Sequence, residues 1–242
     1  QQLGVESLDA LKQACEQGKV AALKGFAAKT EQRILAGIEQ AKRYAEHFHW
    51  CSLKAFVDSS LAALRAETFV QRAEVAGSYR RLCETVDELV FVIASDAPQA
   101  VVAWFQGQLT LDTIEELAED VVLLRLENHV PLTLKFVSLE HFALAWYEAT
   151  GSAEHLLAVQ QRAADRGIDW SAWSQPAVSA ETLAPNILEE SDISDRLQMD
   201  WIPPELREGW DECERASAGR LPNLIQPSAI RGVFHNHTQA SD

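Results

Sequence analysis

Residues 76–92, AGSYRRLCETVDELVFV, constrain the fold more than any other stretch of this chain of 242 residues. Apolar, β-branched runs at residues 74–76 and 89–94 indicate two strands buried in the core of a sheet. Between them, Gly77 and Ser78 form a small turn that is followed at once by a pair of arginines. A small backbone, a hydroxyl and two guanidinium groups provide the donors needed to hold a polyphosphate. The stretch therefore predicts two core strands joined by a phosphate-binding turn.

The rest of the chain predicts helices before this stretch and a mixture of strands and helices after it. Ser7 is placed to cap a first helix, and Thr30 is placed to cap a second one. The predicted helices are residues 31–44, 50–70, 98–104 and 188–197, and further strands at residues 121–126 and 130–137 form a hairpin around residues 127–129. The pattern of residues 109–118 indicates neither a helix nor a strand clearly. The overall pattern predicts an α+β fold with a mixed sheet and helices on one face.

Composition narrows the classes of protein that the chain can represent. The formal net charge of −15 opposes tight, non-specific DNA binding, because duplex affinity comes largely from phosphate neutralisation by lysine and arginine. The four cysteines are far apart and show no CxxC spacing, which favours structural thiols in a reduced, cytoplasmic protein over zinc ligands. No apolar run approaches the length of a membrane span, and the N-terminal residues do not form a signal peptide.

The turn and the strand after it resemble the nucleotidyltransferase signature of the family X DNA polymerases, which include DNA polymerase beta. That signature runs Gly-Ser, arginines, then Gly-Asp-x-Asp, and its carboxylates hold two metal ions that clamp the attacking and leaving oxygens. Aligned on it, Glu88 takes the first aspartate position, Val90 the second, and Asp87 replaces the preceding glycine. Counting back from residues 150–152 places the third aspartate at Thr133. The resemblance thus implies a catalytic role for Glu88 alone, with positions 90 and 133 non-functional, and magnesium or manganese at the site if activity remains.

The same resemblance implies nucleotide contacts at Gly77, Ser78, Arg81, Gly151 and Ser152. Two alternatives stay open for these residues. The arginine pair can instead form surface salt bridges to Glu84 or Asp87. Residues 150–152, Thr-Gly-Ser, can be an ordinary helix cap and turn.

The segment around residues 150–152 also departs from the family pattern. Glu148 and Ala149 stand where the family has an aromatic pair that packs on the sugar. A carboxylate beside an incoming triphosphate is electrostatically unfavourable. Leu156 and Gln160 replace the asparagine and arginine that contact the nascent base pair. The nucleotide contacts are therefore altered together with the metal ligands.

Residues 23–30, LKGFAAKT, precede a helix and resemble the helix–hairpin–helix of the bacterial family X polymerases, where the hairpin is Gly-Phe-Gly. The resemblance implies DNA contacts through Gly25, Ala27 and Lys29, since such a hairpin offers backbone N–H groups and a helix N-terminus to a phosphate. Ala27 replaces the second glycine, and its methyl group would crowd a close backbone approach. An ordinary helical hairpin without DNA contacts remains the alternative.

Near the C-terminus, residues 201–208, WIPPELRE, closely match the end of the bacterial polymerase module, and residues 219–225 resemble the segment that leads into a PHP (polymerase and histidinol phosphatase) domain. His235-x-His237 then matches the first motif of that domain, in which two imidazoles on one strand share a metal. The implied metal ligands are His235, His237 and Asp242, with zinc or manganese driving 3′–5′ exonuclease action in a complete domain. An unstructured tail with two ordinary histidines is the alternative.

Together these resemblances predict four parts: helical fingers with a helix–hairpin–helix at 1–70, a nucleotidyltransferase palm at 71–140, a small α/β thumb at 141–208, and a linker with the first strand of a PHP domain at 209–242. The first hypothesis is a cytoplasmic, monomeric DNA-repair protein that binds gapped or nicked DNA, with templated nucleotidyl transfer lost or weak. The second is an active gap-filling polymerase with unorthodox metal ligands. The third is a non-catalytic interaction module that has abandoned DNA, which the net acidity favours.

Overall fold

The computed structural model describes residues 5–234 except residues 6, 22, 24–27, 46, 128 and 174–186. Its helices and strands are, in chain order, α1 (Leu8–Glu16), α2 (Ala28–Ala45), β1 (Phe48–His49), α3 (Trp50–Leu64), β2 (Arg72–Ala76), α4 (Gly77–Arg80), β3 (Thr85–Val86), β4 (Leu89–Ala94), α5 (Pro98–Gln108), β5 (Leu111–Ala118), β6 (Val121–Leu126), β7 (Pro131–Val137), α6 (Phe142–Thr150), α7 (Ala153–Asp165), α8 (Glu190–Leu197) and α9 (Glu212–Ser217). No helix in this described part of the chain combines the length and apolar character that crossing a bilayer requires.

A five-stranded mixed sheet forms the centre of the molecule. The strand order is β2-β4-β7-β6-β5; β4 and β7 run parallel, and the other neighbours are antiparallel. Because side chains alternate along a strand, Leu89, Phe91 and Ile93 of β4 share one face, where they join the main core with α3 and α5. We call this part, residues 50–137, the sheet unit. The α+β class and the mixed sheet predicted from the sequence are confirmed.

The second face of the sheet is covered as well. Val92 and Ala94 of β4 lie in a smaller apolar cluster with Phe142 and Ala145 of α6. The expectation of helices on one face is therefore wrong. Since β4 is buried from both sides, its sequence is a continuous apolar run without alternation, the pattern of a strand covered on both faces.

The last helices form a separate core beside the sheet. Residues 142–221, which we call the C-terminal unit, contain α6 to α9. Buried residues from these helices and from the segment after α8 pack together, among them Tyr147, Val159, Ile193, Leu197 and Ile202. Helix α6 belongs to both parts, since it packs on the sheet with one side and into this core with the other.

Several local predictions can be compared with the observed elements. Ser7 caps α1 as predicted, accepting a hydrogen bond from the backbone N–H of Ala10 at 3.1 Å. Thr30 does not cap α2, because the helix already begins at Ala28 and Thr30 lies within its first turn. Alanine and lysine are good helix formers, which explains the earlier start. The predicted helix 50–70 ends at Leu64, and the predicted helix 98–104 continues to Gln108.

Strand β5 lies within residues 109–118, whose secondary structure could not be predicted clearly. It is the edge of the sheet, and seven of its eight residues are exposed. With both faces exposed, a strand has no reason to alternate apolar and polar residues, so period-2 patterning is missing. Exposed acidic side chains at Asp112, Glu115 and Glu116 are of the kind that disfavours pairing of an open edge with another chain.

Candidate functional site

The three positions aligned with the metal-binding aspartates lie together at the start of β4 and on β7. The parallel pairing of these strands sets Val90 opposite Thr133. The Thr133 hydroxyl donates a hydrogen bond to Glu88 Oε2 at 3.0 Å, and the Glu88 side chain is exposed to solvent. We call Glu88, Val90 and Thr133 the strand-end site. The convergence expected from the alignment is thus present in the fold.

The donors of the strand-end site do not fit a pair of divalent cations. Such a pair sits about 4 Å apart and is bridged by several carboxylates. Here one carboxylate is present, and the neighbouring hydroxyl, a weak ligand for a hard dication, is already engaged with it. Val90 has no ligand atom and packs against the apolar cluster under α6, next to Trp146. These three residues can bring at most one carboxylate group to a cation.

The turn of the Gly-Ser motif lies directly beside Val90. Gly77 has φ +67°, a left-handed conformation that favours glycine. A Cβ atom at this position would lie 3.5 Å from Val90 Cγ2, so the turn and the strand end are in van der Waals range. Ser78 is half-buried within the same turn, and its carbonyl oxygen accepts from the N–H of Cys83 at 3.1 Å. The predicted phosphate-binding turn therefore borders the strand-end site.

Arg80 is committed to the C-terminal unit. Its guanidinium makes two hydrogen bonds to the Glu190 carboxylate, at 2.6 and 2.8 Å, and a third to Thr150 Oγ1 at 2.8 Å. The same group stacks over the Trp146 ring, with Cζ 3.4 Å from the ring centroid. Both terminal nitrogens of Arg80 and one face of its guanidinium are thus engaged by protein. This arginine joins the sheet unit to α6 and α8.

Glu190 is shared by a second arginine from the opposite side. Arg207, whose side chain is fully buried, donates two hydrogen bonds of 2.9 Å to the Glu190 carboxylate and one to the carbonyl oxygen of Ile202. Burial alone would raise the pKa of Glu190, but the hydrogen bonds and charges of Arg207 and Arg80 outweigh it and lower the pKa to about 2. Glu190 is therefore ionised across the physiological range.

Arg81 makes a different pair. Its Nε donates to Glu208 Oε1 at 2.7 Å, and its Nη1 donates to the carbonyl oxygen of Thr150 at 2.8 Å. The predicted surface salt bridges to Glu84 or Asp87 are not the ones that form. Asp87 instead pairs with the imidazole of His47. We call Arg80, Arg81, Arg207, Glu190 and Glu208 the arginine–glutamate interface.

The Thr-Gly-Ser segment acts as a cap and a packing element. Ser152 Oγ accepts from the N–H of His155 at 3.0 Å and so caps α7, which matches the alternative kept open above. At Gly151, a Cβ atom would lie 2.7 Å from His155 Cδ2, so no larger residue fits without movement of that imidazole. Nothing in these contacts points either residue at a free ligand.

The acidic residue in the aromatic-pair position also has a structural partner. Glu148 Oε1 accepts a hydrogen bond from the indole N–H of Trp170 at 2.8 Å. Ala149 belongs to the apolar cluster between α6 and the sheet. Leu156 packs partly against the core of the C-terminal unit, whereas Gln160 is exposed. Three of these four replacements thus contact the protein itself, either in the C-terminal unit or against the sheet.

Among the described residues, one group of three could bring ligand atoms close enough for a metal: His155, Glu212 and Cys213. Both imidazole nitrogens of His155 already have partners, the Glu212 carboxylate at 2.6 Å and the Tyr147 hydroxyl at 2.9 Å. Glu212 also accepts from the N–H groups of Gly209 and Trp210. Burial raises the pKa of the Cys213 thiol to about 12, which disfavours the thiolate that a metal needs. These contacts describe a satisfied hydrogen-bond network inside the C-terminal unit.

The remaining predicted site residues lie mostly outside the described residues. Of the predicted DNA contacts, Gly25 and Ala27 are not described, and Lys29 is an exposed residue in the first turn of α2. The predicted PHP ligands His235, His237 and Asp242 are likewise outside the described residues. Their roles remain predictions.

The sequence-based predictions missed Glu190, Arg207 and Glu208. A signal existed: residues 141–208 contain twelve acidic and four basic side chains, and Arg207 lies three residues after Pro204. A buried arginine needs a carboxylate, and the surplus of acid in one region complements arginines from another. Without a fold, however, nothing in the sequence indicates which carboxylate meets which arginine.

Two comparisons with known proteins relate this chain to DNA polymerases, one over residues 145–208 and one over its whole length. Residues 145–208, which include all three missed residues, match the family model described as DNA polymerase beta thumb. Over its whole length the chain is 30% identical, across 246 aligned residues, to the DNA polymerase/3′-5′ exonuclease PolX of Bacillus subtilis (strain 168). The chain spans 42% of the length of that relative.

Proposed function

Since this chain belongs to the bacterial family X DNA polymerases, we propose that it binds gapped or nicked DNA in repair and transfers nucleotides weakly or not at all. The observation that carries the proposal is the strand-end site: the fold brings the three family positions together, but with one carboxylate among them. Family X polymerases use divalent metal ions, and magnesium or manganese would be held here by Glu88 alone.

The proposed domain plan keeps the boundaries that the family resemblance implies, although α3 (Trp50–Leu64) packs into the core of the sheet unit. Residues 71–140 would be the palm and residues 141–208 the thumb, with helical fingers at 1–70. A monomer with a PHP domain beginning at 209–242, and zinc or manganese held there for 3′–5′ hydrolysis, completes the proposal. The last of these features rests on the resemblance of residues 219–225 and of the two histidines to the family pattern.

The charge distribution supports a DNA contact near the N-terminal end of the chain. Residues 1–70 contain nine basic and eight acidic side chains, whereas residues 71–242 contain twelve basic and twenty-eight acidic ones. Six of those twelve basic residues are arginines in ion pairs or backbone contacts: Arg72, Arg80, Arg81, Arg162, Arg207 and Arg215. Phosphate neutralisation must therefore come mainly from the N-terminal helices, where Lys29 is exposed.

Binding to a gapped duplex at several salt concentrations tests the DNA part of the proposal. We expect log affinity to fall linearly with log salt, because bound phosphates release counterions. Lys29→Gln should weaken binding and reduce the slope by about 1. Lys54→Gln removes a lysine that pairs with Asp58 on α3 and serves as the matched control, with little change. Salt-independent or absent binding would contradict the proposal.

Primer extension on the same gapped duplex tests the catalytic part. With magnesium or manganese we expect no templated incorporation above background, or a trace that Glu88→Gln removes. Glu84→Gln, an exposed carboxylate nearby in sequence, is the charge-matched control. Efficient incorporation that depends on Glu88 would overturn the weak-transfer proposal and favour a gap-filling polymerase with unorthodox ligands.

The acidity of the chain alone favours a second candidate function, a non-catalytic interaction module. Twenty-eight acidic side chains in residues 71–242 would repel a DNA backbone along the sheet unit and the C-terminal unit. A non-catalytic interaction module would keep the fold and lose DNA affinity. The salt titration separates the two candidates, since the module should show no affinity at low salt.

A further inference from the structure

The two adjacent arginines of the turn differ in how firmly they are held. Arg80 meets a carboxylate that is 5% exposed and that a second arginine also holds. Arg81 meets Glu208, whose side chain is 28% exposed and for which the structure shows one arginine partner. An ion pair that water can reach exchanges partners at lower cost than a buried one. The two arginines are themselves equally exposed, Arg80 at 12% and Arg81 at 13%. The difference lies in their partners, so Arg81 is the cation of this turn whose carboxylate another anion can displace.

Glu208 is held beside Arg81 by its neighbours in the chain. Arg207, the residue before it, is fixed by Glu190 and by the Ile202 carbonyl oxygen, and its own carbonyl oxygen accepts from the N–H of Ser152 at 3.0 Å. Gly209, the residue after it, is packed so tightly that a Cβ atom would lie 2.2 Å from Glu154 Cβ. With both neighbours fixed, the Glu208 carboxylate stays within reach of Arg81.

We propose that Glu208 is an internal competitor for polyphosphate at Arg81. Its carboxylate occupies the position beside Arg81 Nε that a phosphate oxygen would take, so an anion entering the turn must displace it. The proposal deepens the proposed function, because it takes Arg81 as the polyphosphate contact of the turn. It assigns different tasks to the two arginines: Arg80 holds the two units together, and Arg81 alternates between Glu208 and a bound anion.

Direct binding of tripolyphosphate without metal or DNA tests this proposal by calorimetry. Glu208→Gln should bind the probe about fivefold more tightly than the unmodified chain, since a competing half-exposed carboxylate is gone. Glu205→Gln changes the net charge by the same amount three residues away, at an exposed side chain, and should bind within twofold of the unmodified chain. A gain equal in both variants would overturn the proposal, because it would report net charge only.

The double variant Arg81→Ala with Glu208→Gln identifies the cation. We expect the double variant to lose the whole gain in tripolyphosphate affinity shown by Glu208→Gln. A gain in affinity that persists without Arg81 would overturn the proposal. Glu208→Asp keeps the charge but withdraws the carboxylate by one methylene group, and should bind between the unmodified chain and Glu208→Gln. Thermal unfolding of each variant checks that it is folded. The assay contains no DNA, so a failure of DNA binding or of primer extension leaves its result unaffected.

Discussion

The strand-end site and the arginine–glutamate interface lie on either side of the Gly77-Ser78 turn but use charge in opposite ways. At the strand ends, one exposed carboxylate stands where a metal-dependent enzyme needs several. At the interface, Arg80, Arg207 and Glu190 are withdrawn from water and hydrogen-bonded to one another. The first arrangement contributes little to stability, and the second holds two cores in fixed positions. Charged groups are paired and buried where they join the units, whereas the strand-end site has a single, exposed carboxylate.

The largest expected effect comes from removing Glu190. Glu190→Ala leaves two buried or nearly buried arginines without a carboxylate, which typically costs about 3–5 kcal/mol. Urea unfolding followed by circular dichroism should show this loss in the free energy of unfolding. Asp58→Ala, which breaks an exposed pair with Lys54, is the control and should cost less than about 1 kcal/mol. Similar losses for the two variants would show that burial does not separate the two kinds of pair.

The pH dependence of stability probes the same carboxylate. Its pKa is lowered from 4.5 to about 2 in the folded state, so its contribution is complete above pH 4.5 and is lost as the pH falls towards 2. The full contribution is on the order of 3 kcal/mol, and about 2 kcal/mol of it should be gone at pH 3. Unfolding by urea at pH 7 and pH 3 measures the loss. Glu190→Gln should lose about 2 kcal/mol less over this interval, and an identical loss would assign the acid sensitivity to other carboxylates.

How far the sequence predicts these two regions depends on the distance between interacting residues. The convergence of Glu88, Val90 and Thr133 was expected from the family resemblance, which assigns all three positions, and the parallel register of β4 and β7 brings them together. The contact between Arg80 and Glu190 joins residues that are 110 positions apart. A sequence read alone supplies both charges but gives no reason to pair them, because the pairing depends on how α6 and α8 pack beside the sheet.

The errors in the fold have similar physical origins. Strand β5 was not recognised because exposure on both faces removes the alternation that marks a strand. Helices were expected on one face of the sheet, because the apolar sequence of β4 does not say whether one face or both faces are covered. Only the packing of α6 shows that both faces are buried. Of the two predicted caps, Ser7 was correct, since donor and acceptor lie within one turn, whereas Thr30 was not, because α2 begins before it.

A smaller effect is expected when a carboxylate is returned to the strand-end site. Val90→Asp would place a second carboxylate beside Glu88, since residues two apart on a strand face the same side. Manganese binding followed by electron paramagnetic resonance should tighten about tenfold. The substitution should also cost about 1–2 kcal/mol of stability, because Val90 packs against the cluster under α6.

The matched control for that substitution is Val90→Asn. It has the same shape and a similar cost in stability but no charge, so its manganese affinity should stay at the level of the unmodified chain. If the asparagine variant binds manganese as tightly as the aspartate variant, the gain does not come from a restored carboxylate pair. The strand-end site would then differ from its relatives in something other than the count of charged oxygens.

The smallest effect concerns Cys83, whose thiol donates to the Glu208 carboxylate at 3.4 Å. Burial raises the pKa of this thiol, Arg81 lowers it, and Glu208 raises it further. Glu208→Gln removes the negative charge and leaves the guanidinium, so the thiolate fraction at pH 8 should rise and alkylation by iodoacetamide should be a few times faster. Peptide mass spectrometry follows each cysteine separately, with exposed Cys51 as the internal control. An unchanged Cys83 rate would mean that the Glu208 charge does not reach the turn, and the contrast between a firmly held Arg80 and an exchangeable Arg81 would lose its electrostatic basis.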